Sequence, residues 1–139
     1  MCPTCGDPWP ERCPCQKTTK KGEMADEQRP KLVVLESPYA GDVEANLTYL
    51  RACMADCLRR GEAPYASHAL YTQPGVLDDT IPAERRLGML AGFAWGALAA
   101  RCVVYVDRGI SNGMREGIAR AEANGIGVEH RTLAGWGNQ

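Results

Sequence analysis

Apolar and polar positions divide the chain into segments whose period changes from one to the next. Residues 31–36 (KLVVLE) form a continuous apolar run with β-branched members, the pattern of a strand buried on both faces. Residues 37–42, with Pro38 and Gly41, follow as a turn, and Asp42 is placed to cap a helix. Over residues 43–60 the apolar positions Leu47, Leu50, Met54, Cys57 and Leu58 recur at helical spacing, and Gly61 stops the helix. A short strand is expected at 63–67, followed by a long loop at 68–81. Pro82 suits the first turn of a helix running to about Ala100, with Leu87, Leu90, Ala91, Ala94 and Leu98 on one face. Gly88, Gly92 and Gly96 repeat every four residues along it, which predicts close backbone approach to a neighbouring helix or subunit. Residues 102–107 (CVVYVD) read as a buried strand, 108–112 as a loop, and 113–124 as a helix with Met114, Ile118 and Ala121 inward. Residues 126–131 then supply a fourth strand.

Strands alternating with helices predict a parallel three-layer α/β domain with a four-stranded sheet and right-handed crossovers. Ligands of such sheets bind at the carboxyl ends of the strands, so residues 37–42, 68–79 and 107–113 are expected around one cleft.

Composition narrows the setting. A chain of 139 residues fits one compact domain with a short appendage. Sixteen Lys+Arg against seventeen Asp+Glu leave a formal net charge of -1, which gives no bulk electrostatic support for binding nucleic acid or an anionic membrane. The longest weakly polar run, residues 87–100, falls well short of the ~20 residues that cross a bilayer. The N-terminus has neither the basic start nor the apolar stretch of a secretory signal, so a cytosolic location with reduced thiols is expected.

The first thirty residues differ from the rest. Cys2, Cys5, Cys13 and Cys15 are four of the seven cysteines, and every lysine lies at or before Lys31. The Cys-x-x-Cys and Cys-x-Cys pairs offer four soft ligands, enough for a structural tetrahedral zinc in a knuckle over residues 1–16; a reduced tail without metal is the alternative. Residues 17–30 read as a polar linker, 31–133 as the α/β domain, and 134–139 as a tail. Cys53, Cys57 and Cys102 occupy core positions and are expected to pack as small hydrophobes.

Three separated stretches, SPYAGDVEANLTYLRAC, HALYTQPGVLDD and GISNGMREGIARAEANGIGVEHRTL, resemble in order the nucleoside 2-deoxyribosyltransferase-like superfamily, and more narrowly a branch of it met in phage genomes. The resemblance covers residues 32–133. It implies a flavodoxin-like domain that binds a nucleoside or nucleotide, forms a homo-oligomer, and in active members cleaves or transfers the N-glycosidic bond without an organic cofactor. That reaction builds positive charge at the anomeric carbon, so a carboxylate beneath it serves as nucleophile or stabiliser, and a second acid assists departure of the base.

Active relatives carry their nucleophilic Glu in a Ser-x-Gly-Met-x-x-Glu-Ile pattern. Aligned on Ser111, Gly113, Met114 and Ile118, the nucleophile position here is Gly117, and Glu116 stands one residue earlier. One residue rotates a side chain by about 100° around a helix, so Glu116 reaches the cleft only if the helix start is distorted. Asp78 or Asp79 could supply the carboxylate instead; otherwise the pair is a solvated loop turn.

The other cleft candidates each have a functional and a structural reading. Ser111 and the backbone near Gly113 and Met114 open a helix that favours an anion, or Ser111 is a cap alone. Tyr39, in a loop set by Ser37, Pro38, Gly41 and Asp42, stacks on a base or covers the strand end. His68 hydrogen-bonds a ligand or a structural partner. Asn46 reaches the ligand or holds the loop, and Asp107 closes the third strand at the cleft. Besides an enzyme, the same residues fit a noncatalytic nucleotide sensor or sequestering protein, or a zinc-knuckle adaptor whose α/β domain serves for assembly.

Overall fold

The apolar runs form the strands β1 (Lys31–Glu36), β2 (Glu62–Tyr65), β3 (Arg101–Tyr105) and β4 (Gly127–Arg131) of one all-parallel sheet in the order β2-β1-β3-β4. This is the flavodoxin-type order short of a fifth strand, with its switch point between β1 and β3. The computed structural model describes residues 28–138. Cys2, Cys5, Cys13 and Cys15, with the zinc expected on them, lie outside the described residues, as does the linker up to residue 27. No helix among the described residues is long and apolar enough to cross a membrane.

The helices are α1 (Val43–Arg59), the single turn α2 (Ser67–Leu70), α3 (Pro82–Gly96) and α4 (Asn112–Ala123). The chain leaves β1 toward one edge and returns across it to reach β3 and β4, so right-handed crossovers put α1 on one face and α3 with α4 on the other. Alternation along β1 matches this. Val33 and Leu35 pack with Tyr49, Leu50, Cys53 and Cys57 of α1, while Val34 joins Cys102, Val104, Met114 and Ala121 on the opposite face. The result is a three-layer α/β domain.

Local signals explain most boundaries. The Asp42 carboxylate accepts from the Ala45 N–H at 3.1 Å to cap α1, and Gly61, at φ +80°, releases the chain from it. Pro82 begins α3. That helix ends earlier than the pattern predicts. Its last turn tightens through Leu98 N–H to Trp95 O and Ala99 N–H to Gly96 O, and the Ala100 N–H then bonds Leu32 O at 2.7 Å to enter the sheet.

Three expectations need correction. In α1, Leu50 and Cys57 are buried and Leu47 and Met54 pack against the core as expected, with Asn46, Tyr49 and Cys53 buried beside them, whereas Leu58 is exposed. In α3 the leucine face points outward, with Leu87, Leu90 and, just past its end, Leu98 exposed, and the glycines point inward. A Cβ on Gly92 would lie 2.7 Å from Ser67 Cβ and one on Gly96 would touch Val34, so the glycines serve approach to α2 and β1 of the same molecule rather than to a subunit. The segment read as a tail ends in a 3-10 turn, Trp136–Asn138, whose Trp136 ring lies 4.8 Å from that of Tyr49 and packs on the core.

Candidate functional site

At the carboxyl ends of β1 and β3, the space beneath α3 and α4 is a cavity of about 400 Å³. Its floor is Glu36 and Ser37, which β1 delivers at the switch point. Tyr39 comes from the loop after β1 and His68 from α2, and Asp79, Arg85, Met89 and Phe93 from the loop before α3 and from α3 itself. Ser111, Asn112, Gly113, Met114, Gly117 and Arg120 come from the start and inner side of α4.

Small residues make the space. Gly88, Gly92 and Gly96 of α3 line it on one side and Gly117 of α4 on another. At Gly117 a Cβ would sit 2.5 Å from the Glu36 carboxyl carbon, so the position has room for a carboxyl group only because it lacks a side chain. Gly at that point of a helix costs about 1 kcal/mol relative to Ala, a cost that the packing around Glu36 requires.

Electrostatics single out Glu36. No hydrogen bond or ion pair reaches it among the described residues, and burial pushes its carboxyl up to about 8. The neighbouring polar groups are engaged elsewhere. Ser37 Oγ and His68 Nε2 are 2.8 Å apart, and burial holds the His68 imidazole down at about 4, so the ring is neutral at pH 7. Arg85 donates to Asp79 at 3.3 Å, and the Arg120 guanidinium lies over the Phe93 ring at 4.7 Å.

At the α4 terminus, Ser111 Oγ accepts from the Met114 N–H at 3.2 Å and the Met114 sulfur accepts from the Ser111 N–H at 3.3 Å. Both residues therefore cap the helix as well as lining the cavity. The N–H groups of Asn112 and Gly113 lie ahead of the first intrahelical bond and form the electropositive end of the helix, and both residues line the same space.

Of the residues expected around the cleft, Ser37, Tyr39, His68, Asp79, Ser111, Gly113 and Met114 line this cavity. Gly41 and Asp78 line a shallower hollow beside it, where the Thr80 hydroxyl and N–H hold the Asp78 carboxyl below its ordinary range. Asp42 is the α1 cap. Asn46 is buried behind the loop, donating to Tyr39 O at 2.9 Å and Ala40 O at 3.2 Å and accepting from Arg108 Nε at 2.9 Å, so it holds the loop in place. Asp107 lies outside the cavity. Its carboxylate accepts from the Tyr49 hydroxyl at 2.6 Å and from the Leu133 N–H.

Glu116 is exposed and lies outside the cavity, because α4 is regular from its cap onward and the one-residue offset turns the side chain away. Among the described residues there is no group of three or more His, Cys, Asp or Glu side chains that could hold a metal ion. Glu36, Arg85, Phe93 and Arg120 were missed in the sequence. For Glu36 a signal existed: alternation along KLVVLE puts the Glu on the same face as Val34, at the sheet's switch point.

No curated protein and no solved structure matches the chain. The model of a domain of unknown function, DUF7768, matches residues 31–131. That span is most of the 139 residues, and the chain belongs to the DUF7768 family.

Proposed function

We propose that the cavity binds a nucleoside or nucleotide and that the protein cleaves or transfers its N-glycosidic bond. The observation that carries this reading is the make-up of the space: a carboxyl group, aromatic rings and a helix amino terminus in one cavity of about 400 Å³. Tyr39 and Phe93 offer faces for a base. The N-terminal turn of α4, with Arg85 and Arg120 nearby, suits the polar sugar or an anionic substituent. The resemblance to the deoxyribosyltransferase-like superfamily points the same way.

Incubation with a panel of the common ribo- and deoxyribonucleosides and their 5′-monophosphates, recording equilibrium binding and release of free base, tests the reading. Saturable binding of at least one member, with base released, is expected. No binding by any member at millimolar concentration would contradict it. A sensor or sequestering protein is the outcome in which binding occurs and no base is released.

The same reading makes the protein a cytosolic homo-oligomer. Among the described residues Cys53, Cys57 and Cys102 are free and buried, in keeping with a reducing compartment. The exposed Leu87, Leu90, Trp95 and Leu98 of the α3 segment support the oligomer, since a run of exposed apolar side chains is ordinarily covered.

A further inference from the structure

We propose that Glu36 is the catalytic acid of this cavity, giving its proton to the departing base and taking one back from water. The inference rests on the reading of the cavity as a nucleoside site and names the residue that does its chemistry. A carboxyl inside a protein is ordinarily paired, because an isolated buried charge costs several kcal/mol. Glu36 has no such partner among the described residues, although two arginines line the same cavity. Each of those is engaged elsewhere, Arg85 by Asp79 and Arg120 by the Phe93 ring. What exposure Glu36 keeps is to the cavity that it lines. Gly117 leaves the room that the carboxyl fills. An unpaired carboxyl, accommodated by a missing side chain and open to a ligand-sized space, is a group kept free for a ligand.

Its protonation state fixes the role. The titratable and charged groups around it are Tyr39 from the loop after β1, His68 and Tyr71 from α2 and its end, Asp79, Glu84 and Arg85 from the loop before α3 and its start, Arg120 from α4 and Cys102 from β3. His68 is neutral, and the Cys102 thiol is pushed up to about 12, first by burial and then by the Glu36 charge. With its own carboxyl raised to about 8, Glu36 holds its proton at pH 7 and is poised to release it.

As the bond between the anomeric carbon and the base nitrogen breaks, the bonding pair goes to the nitrogen and the Glu36 proton joins it. The carboxylate left behind sits beside the cationic sugar. A water oxygen then bonds the anomeric carbon and passes a proton to Glu36, which restores the acid. One water is consumed, free base and sugar are formed, and nothing is oxidised or reduced.

The test is base release from the nucleosides and nucleoside 5′-monophosphates of the panel, by wild type and Glu36→Gln, from pH 5 to 10. Gln is the neutral isostere of the protonated acid, so the variant is expected to fold and to bind within about threefold of wild type while releasing base about a hundredfold more slowly or worse. The wild-type rate falls as pH rises through about 8, and the residual rate of the variant does not. Gly117→Ala, which retains the carboxyl but displaces it, is expected to lower the rate with binding kept. Equal base release by wild type and Glu36→Gln would overturn the role of Glu36 and leave the nucleoside reading standing. Absence of both binding and release in the wild type would overturn both.

Discussion

The two faces of the sheet treat buried charge in opposite ways. On the α1 face, Arg131 at the end of β4 is almost fully buried, and its guanidinium donates to both Glu62 oxygens at 2.7 Å, to Glu129 at 2.7 Å and to the Tyr105 hydroxyl at 3.3 Å. Its hydrogen bonds with Glu62 hold that carboxyl below its ordinary range. On the α3 and α4 face, Glu36 is half-buried, lines the cavity and has no partner among the described residues, and its carboxyl moves the other way. A satisfied buried ion pair is architecture, whereas an unsatisfied carboxyl facing a cavity is a group that a structural role does not account for.

Breaking the paired side gives the largest effect. Arg131→Ala leaves Glu62 buried without its main partner and is expected to lower unfolding free energy by about 3–5 kcal/mol in urea titrations at pH 7. A loss below about 1 kcal/mol would mean that the pair is solvated and the contrast between the faces is not real.

The pH dependence separates the faces next. Glu36 binds its proton more tightly folded than unfolded, so its contribution is complete below about pH 4.5 and is lost as pH rises toward 8. Glu62 has the opposite sign: its contribution is present above its unfolded value and is lost as pH falls. Relative to wild type, Glu36→Gln should therefore gain roughly 4 kcal/mol between pH 5 and pH 9. Parallel stability curves for the two proteins would contradict the unpaired burial of Glu36.

The smallest effect concerns how the cavity face is held. Gly92→Ala would bring a Cβ against Ser67 Cβ and Oγ, short groups with little freedom to move, and is expected to destabilise by about 1–3 kcal/mol. Thermal denaturation reads it; an unchanged midpoint would mean that α3 does not bear on α2 there.

These contrasts also explain what was legible in the sequence. Strands such as KLVVLE and CVVYVD stand out because central parallel strands are buried on both faces, and Asp42, Gly61 and Pro82 mark helix ends by local chemistry. The orientation of α3 was not legible. From Leu87 to Ala100 the segment is apolar on every side, so periodicity cannot choose between the leucines and the glycines as the inward face. The loops of the site could be located from topology, and holding the loop was one of two readings open for Asn46, but the role of Asp107 could not be read, because its partner, the Tyr49 hydroxyl, is brought to it only by folding. Glu36 looked like the polar end of a strand; what makes it distinctive is Gly117 above it, more than eighty residues away in the chain.

Glu36 is an acid without a partner among the described residues, protonated at neutral pH. Carbon-13 NMR of glutamate side-chain carboxyls across pH 3 to 10, with the Glu36 resonance assigned by its disappearance in Glu36→Gln, measures this without any ligand. A midpoint near 8 is expected. A midpoint near 4.5, the ordinary carboxyl value, would show a charged Glu36 at neutral pH and would remove the proton donor from the cavity.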